Sequence, residues 1–313
     1  MGGGTQRFLV GAAALLAGLV TVVVVVAALG SGGGSAVKTS GLNPGSATTN
    51  PPAPPRGAFV LAREAGSLAV ALAVEPNRRL TAIVLGPSGG ADTKLPLRFR
   101  VGGKTLAAEP CGPGCYRAAV PAGLPLRQVQ VVLTGQRADF KLPAGVRPAQ
   151  RIVSHASRVF RALKSLVYVE SLRSDPTHGL VTTWTLGAPD RVAYRIRGGA
   201  SAVVIGKQRW DRTTPHAHWV RSSQIPPLQV PTPTWGSGVS NAELLGTARV
   251  AGRPVWVVSF VNSSIPAFFT AWIDRSNYRT LQLRMTAAAH FMFHRYTQFD
   301  GPVRIVPPRR SRG

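Results

Sequence analysis

The sequence predicts a mainly β protein: a transmembrane helix, then an Ig-like β-sandwich, then an antiparallel half-barrel with one long helix against its concave face. Three features predict this order. They are an unbroken apolar run near the N-terminus, a stretch of short strands separated by Gly and Pro turns, and one amphipathic helix followed by a long period-two pattern. The 313 residues suffice for two folded domains after the apolar run.

The apolar run extends from Phe8 to Leu29 and contains no charged side chain. As a helix it would be about 33 Å long, enough to cross a hydrocarbon core of ~30 Å. We therefore expect residues 1–30 to be a signal-anchor in the cell membrane, with the N-terminus cytoplasmic and the bulk of the chain extracytoplasmic. A cleaved signal peptide is the alternative, although its apolar region usually has only about 7–15 residues.

Residues 31–56 are predicted to be a linker, because Gly and Ser make its first part flexible and its Pro-rich end favours an extended chain. Residues 57–145 contain short strands at spacings of about 8–12 residues, which indicates an Ig-like β-sandwich.

The two cysteines of the chain, Cys111 and Cys115, lie in this predicted sandwich. Exported proteins fold in oxidising surroundings, so we expect the pair to form a disulfide that closes a small loop. A pair of thiolate ligands for copper or zinc, or a redox pair, is the alternative, but the spacing is not that of a CxxC motif.

Residues 146–308 begin with a predicted amphipathic helix over 148–166, and its apolar side chains recur at spacings of three and four: Ile152, Ala156, Val159, Leu163 and Leu166. From about residue 167 a period-two pattern predicts about eleven antiparallel strands. The Pro-rich segment Ile225–Trp235 interrupts them and is predicted to be a long loop or lid. Residues 309–313 form a basic tail.

The run from Ala267 to Pro308 resembles the end of LolA-type lipoprotein-carrier domains, which are shared with mycobacterial lipid-binding lipoproteins. In such domains an aromatic–aliphatic strand enters an Asp-led hairpin, here opened by Asp274, and the chain closes on Pro-Val-x-Ile-x-x-Pro. The PCGPGCYR motif also resembles extracytoplasmic regions attached to actinobacterial CopC/CopD-type copper-resistance membrane proteins.

The LolA-like resemblance implies an apolar pocket between helix and sheet that shelters an acyl chain, lipid, lipoprotein or other apolar ligand. The residues expected to line it are Val159, Phe160, Leu163, Trp184, Tyr194, Trp210, Trp256, Phe260 and Trp272. The alternative is that these aromatic side chains fill a solid core.

A second hypothesis is a copper site, because Met285, His290, Met292 and His294 lie within ten residues. In a strand, His290, Met292 and His294 would share one face, and thioether and imidazole ligands suit Cu(I). The alternative is that the methionines fill the core and the histidines form hydrogen bonds.

The net charge is +25, and only six of the 37 basic residues are Lys. In an exported protein this charge favours anionic lipid head groups or cell-wall polymers as partners and argues against nucleic acid. General Arg enrichment of the surface is the alternative.

The sequence predicts no enzymatic activity and no cofactor apart from the copper alternative. It has 12 acidic residues without a paired-carboxylate motif, and HExxH, Walker and dinucleotide-binding patterns do not occur. We therefore expect a binding protein, with a structural or partner-binding ectodomain as a further alternative.

Overall fold

The computed structural model describes residues 50–88, 91 and 96–308, and they form a mainly β protein with antiparallel sheets and one α-helix. No helix among these residues is long and apolar enough to span a bilayer. The predicted anchor, most of the linker and the basic tail lie outside the described residues.

The N-terminal part is a sandwich of two antiparallel sheets. A five-stranded sheet has the order β1-β2-β3-β7-β6, and a four-stranded sheet has the order β5-β4-β8-β9. Alternating apolar side chains of both sheets, such as Leu72 and Phe99, meet in a shared core. The strands are β1 Phe59–Ala65, β2 Leu68–Val74, β3 Arg79–Leu85, β4 Arg98–Val101, β5 Lys104–Ala107, β6 Glu109–Gly112, β7 Cys115–Ala119, β8 Gln128–Leu133 and β9 Gln136–Lys141.

The predicted disulfide is present. Cys111 and Cys115 are bonded across the β6–β7 hairpin, with their Cα atoms 5.0 Å apart. Gly114 in the turn has a φ of +58°, and a Cβ there would lie 2.5 Å from the Val84 carbonyl oxygen. The short loop therefore requires glycine at this position.

The helix α1 extends over Gln150–Arg161, so the prediction of a helix to residue 166 was too long. Its N-cap is Ala149, and Pro148 belongs to the short strand β10, Arg147–Pro148, before it. Beyond Ala162 the chain leaves the helix because residues 165–173 pair with strands on both sides. Leu163 and Leu166 are nevertheless buried in the same core as the helix.

A 12-stranded antiparallel sheet follows, in the order β10-β17-β18-β19-β20-β21-β11-β12-β13-β14-β15-β16. As predicted, eleven strands come after the helix, and the sheet has two edges and does not close into a barrel. The strands are β11 Ser165–Arg173, β12 Gly179–Gly187, β13 Arg191–Ile196, β14 Ser201–Ile205, β15 Gln208–Arg212, β16 Val220–Ser223, β17 Val239–Val250, β18 Arg253–Asn262, β19 Ala267–Asp274, β20 Thr280–Ala287 and β21 His290–Phe299.

The two faces of this sheet have different neighbours. The helix face packs against α1 and includes Val258, Phe269 and Met292. The sandwich face packs against β1 and β2 through an apolar cluster that includes Phe268 and Phe291. Because successive strand residues point to opposite faces, odd and even positions of one strand serve different interfaces.

Two connections of the sheet agree with the sequence analysis. Asp274 opens the β19–β20 hairpin, where its Oδ1 accepts hydrogen bonds from the Ser276 backbone N–H at 2.8 Å and the Ser276 hydroxyl at 2.6 Å. The Pro-rich segment lies between β16 and β17 and contains no strand.

Candidate functional site

The helix face is the candidate site, because there the single helix covers an extended apolar surface. Val153, Ala156 and Phe160 recur at spacings of three and four and are buried against the sheet. A helix of 12 residues is about 18 Å long, so it covers only part of a 12-stranded sheet. The remaining cover is provided by other segments.

The Pro-rich segment supplies much of this cover. Val230 and Trp235 are buried in the core shared by helix and sheet, and Trp235 is only 1% exposed. Its ring lies edge-on to Phe160 of the helix and to Phe260 of the sheet, at centroid distances of 5.5 and 5.9 Å. Trp235 therefore occupies the space between α1 and β18.

Backbone and side-chain hydrogen bonds hold the Pro-rich segment in place. The Trp235 indole N–H donates to the Ser157 hydroxyl at 2.8 Å, and the Asn262 side-chain amide donates to the Trp235 carbonyl at 2.8 Å. The Val230 backbone N–H donates to the Pro189 carbonyl at 2.9 Å. Four prolines in the segment have no N–H and cannot donate to a strand ladder.

Beside this covered region, three aromatic side chains form a row across neighbouring strands of the helix face. Tyr168 of β11 stacks on Trp184 of β12 at 6.0 Å, and Trp184 contacts Tyr194 of β13 at 4.9 Å. Tyr168 and Trp184 are only half-buried. The Trp184 indole nitrogen is buried and has no hydrogen-bond acceptor among the described residues.

A buried polar cluster lies next to this aromatic row. His294 contacts the Glu170 carboxylate through Nε2 at 2.7 Å and the Tyr296 hydroxyl through Nδ1 at 3.0 Å. Both contacts are hydrogen bonds when the Nε2–H of His294 donates to the Glu170 carboxylate and its Nδ1 accepts the proton of the Tyr296 hydroxyl. The cluster therefore joins β21 to β11 by side chains as well as by backbone pairing.

Burial raises the pKa of both tyrosines at this cluster. For Tyr168, burial is the main cause, and the neighbouring charge of Glu170 adds to it. For Tyr296, burial likewise dominates, although a hydrogen bond with the Thr234 side chain opposes it. Both hydroxyls consequently stay protonated and remain hydrogen-bond donors around neutral pH.

The structure separates the predicted lining residues into groups. Phe160, Leu163 and Phe260 are buried in the helix-face core, and Val159 is half-buried on the helix. Trp184 and Tyr194 belong to the aromatic row, and Trp256 packs beside Tyr278 on the same face.

Two of the predicted lining residues do not lie on the helix face. Trp272 contacts Phe293 at 6.2 Å on the sandwich face, because it is offset by one residue from Ile273 of the helix-face core. Trp210 pairs with Val203, whereas the neighbouring Val204 lies in that core. Strand alternation therefore excludes Trp210 and Trp272 from a pocket under the helix.

The Met and His residues of the copper hypothesis do share the helix face. Met285 is directly opposite Met292, and both are buried, whereas His290 at the strand end is exposed. Both ring nitrogens of His294 already have hydrogen-bond partners. Among the described residues, no group of three His, Cys, Asp or Glu side chains is arranged to hold a metal ion. Copper binding stays a prediction.

Four further residues belong to the site but were not predicted from the sequence pattern: Tyr168, Glu170, Trp235 and Tyr296. A signal existed for Glu170, since it shares one face of a predicted strand with the apolar Tyr168 and Leu172, an unusual place for an unpaired charge. Nothing in the local pattern predicts that Trp235 returns into the core, because that depends on the path of the segment.

Comparison with known proteins gives structural matches only. No family model matches the chain, and no curated protein matches it in sequence. Similar solved structures include LprF from Mycobacterium bovis, with 13% identity and a TM-score of 0.38 over 51% of this chain and 96% of that one. Lipoprotein LppX from Mycobacterium tuberculosis also has 13% identity and a TM-score of 0.38, over 50% of this chain and 97% of that one.

A LolA superfamily protein from Nitrosomonas europaea matches with 13% identity and a TM-score of 0.26, over 51% of this chain and 96% of that one.

Proposed function

We propose that this chain is a non-enzymatic binding protein for an apolar, chain-shaped ligand that lies between α1 and the helix face of the sheet. The observation that carries the proposal is Trp235, a large apolar side chain that fills this space from an irregular segment. A side chain held by a Pro-rich loop can leave the core at lower cost than one held by a strand or helix, because fewer backbone hydrogen bonds must break.

In this proposal the position of Trp235 in the core is the closed arrangement of the site. Withdrawal of the Pro-rich segment breaks the contacts of Trp235 with Ser157 and Asn262 and exposes Phe160 and Phe260. An apolar chain then replaces the indole ring and is stabilised by the same burial of apolar area.

The aromatic row supports a continuation of the binding surface beyond the helix. Tyr168 and Trp184 are half-buried and lie on the same face as the core that Trp235 enters. The unpaired Trp184 N–H offers a hydrogen bond to a polar end of the ligand.

The cellular location belongs to the same proposal. The apolar run from Phe8 to Leu29 supports attachment to a membrane. The Cys111–Cys115 disulfide supports an oxidising compartment outside the cytoplasm. A ligand drawn from a membrane is consistent with both, and so is attraction of the basic chain to anionic lipid head groups.

A fluorescent C18 fatty acid, cis-parinaric acid, tests ligand binding to the full chain in mild detergent. We expect saturable binding and energy transfer from tryptophan to the probe. Trp235→Ala should bind the probe at least tenfold more tightly, because the side chain that competes for the space is gone. The matched control is Trp219→Ala, which removes an indole outside the helix-face core.

Ser157→Ala provides a second variant that leaves no large cavity. It weakens the attachment of Trp235, so we expect the affinity for the probe to rise severalfold. Absence of saturable binding to all four proteins would overturn the proposal. Equal affinity of the wild type and both site variants would show that the probe binds elsewhere.

A further inference from the structure

An open cleft of about 400 Å³ lies where the sandwich meets the sandwich face of the large sheet. Strand β1 contributes Arg63 and Glu64, and β11 contributes Arg173. Arg284 of β20 and Phe293 of β21 also line the cleft. The cleft is on the opposite side of the sheet from α1, so it is distinct from the proposed apolar site.

The charges in this cleft do not balance. Glu64 forms an ion pair with Arg173, which leaves Arg63 and Arg284 without an acidic partner among the described residues. Three guanidinium groups and one carboxylate give a formal charge of +2. Among the described residues, the Arg63 guanidinium donates one hydrogen bond, at 3.2 Å to the adjacent Ala62 carbonyl.

Contacts with aromatic rings hold one of the unpaired guanidinium groups in position. Arg284 lies 5.9 Å from the ring centroids of both Trp272 and Phe293. Such contacts orient the guanidinium plane without neutralising its charge. Its donors therefore remain available to an acceptor in the cleft.

The electrostatics of Arg63 agree with this geometry. Arg63 remains exposed to solvent, and its partial burial, followed by the nearby charge of Arg284, lowers its pKa from the ordinary value. Two like charges held close together in a recess are unfavourable until an anion lies between them.

We propose that this cleft binds the phosphate group of a ligand through Arg63 and Arg284, with Arg173 as a third donor. A phosphate dianion matches the formal charge of +2, and the planar guanidinium fork matches its oxygens. The volume is within the range of about 300–1,000 Å³ that is usual for ligand sites. The phosphate belongs either to a free small molecule or to a lipid head group.

Calorimetric titration of the full chain in neutral detergent with inorganic phosphate tests the proposal. Arg63→Gln/Arg284→Gln should weaken binding at least tenfold. The matched control, Arg100→Gln/Arg195→Gln, removes two exposed arginines that do not line the cleft, and it should change the affinity less than twofold. Equal weakening by the two double variants would overturn the proposal, because the net charge alone would then explain binding.

Glu64→Gln is a variant whose expected effect cannot be caused by misfolding. It removes the carboxylate that competes for Arg173 and raises the formal charge of the cleft to +3, so phosphate should bind several times more tightly. A gain in affinity cannot result from loss of the fold. Unchanged or weaker binding to this variant would contradict the proposal.

Water-soluble dihexanoyl phosphatidic acid, used below its micelle concentration, distinguishes the two sources. If phosphatidic acid binds more tightly than inorganic phosphate, and Arg63→Gln/Arg284→Gln abolishes this binding, the cleft is assigned to a lipid head group. Equal affinity for phosphatidic acid and inorganic phosphate assigns the cleft to a free phosphate ligand. The proposal would be overturned if neither inorganic phosphate nor the phosphatidic acid bound saturably.

Discussion

Trp235 donates its indole N–H to the Ser157 hydroxyl at 2.8 Å, and this contact fastens the Pro-rich segment to the middle of α1. Trp235 is 1% exposed whereas Ser157 is half-buried, so this hydrogen bond lies at the edge of the apolar core. The contact is one of those that hold the segment against the helix.

Ser157→Ala should lower the free energy of unfolding by about 1 kcal/mol, because the Trp235 N–H loses its acceptor. Trp235→Phe removes that donor, so the double variant should be less destabilised than the sum of the two single variants. Urea unfolding followed by circular dichroism measures all three. Ser154 is half-buried on the same helix, so Ser154→Ala is the matched control. If the effects of Ser157→Ala and Trp235→Phe on the free energy of unfolding add up in the double variant, the prediction is contradicted.

The general architecture of the described part was predictable because it depends on periodicity. Alternation along the chain correctly predicted eleven strands after the helix, and the Pro content correctly excluded a strand from the Pro-rich segment. The placement of His290, Met292 and His294 on one face followed from the same alternation. These features need no knowledge of distant contacts.

The lining of the site was predicted less well because it depends on register between distant strands. Trp210 and Trp272 are aromatic and lie in correctly predicted strands, but pairing places both on the face away from the helix. Leu163 and Leu166 continue the helical spacing, yet pairing of residues 165–173 with β12 and β21 ends the helix before them. Tertiary pairing thus overrides a local pattern.

Alkaline pH should destabilise the protein through Tyr168 and Tyr296. Burial raises their pKa in the folded state, so the folded protein keeps these protons longer than the unfolded chain. The stabilisation is complete below about pH 10, the ordinary tyrosine pKa, and is lost as the pH rises above it. The thermal midpoint should therefore fall from about pH 10 upward.

Tyr168→Phe and Tyr296→Phe should each reduce this alkaline fall in the thermal midpoint, as measured by circular dichroism between pH 8 and 12. Tyr278→Phe, a half-buried tyrosine stacked on His155 at 4.0 Å, is the control. The same pH slope in all variants would show that another group controls alkaline unfolding.

The disulfide predicts that iodoacetamide labels no cysteine in the denatured, unreduced protein and two cysteines after reduction. Its loop is very short, so chain entropy contributes only about 2 kcal/mol. We expect Cys111→Ser/Cys115→Ser to lower the free energy of unfolding by about that amount while the apolar site on the helix face still binds its probe. Labelling of two thiols without reduction would contradict the bonded pair.

Cu(I) titration decides whether Met285 and Met292 act as ligands or as core side chains. The two thioethers are directly opposite each other, but Glu170 and Tyr296 already bind both ring nitrogens of the adjacent His294. Metal would have to displace these buried hydrogen bonds. We therefore expect Met285→Leu/Met292→Leu to take up Cu(I) with the same affinity as the wild type, within about twofold.

Leucine nearly conserves the volume of methionine, so the fold of this double variant should persist. The titration uses ascorbate, which keeps copper as Cu(I) and leaves the Cys111–Cys115 disulfide intact, together with a competing chelator. A tenfold or greater loss of affinity in the double variant would instead establish a thioether copper site and displace the core interpretation.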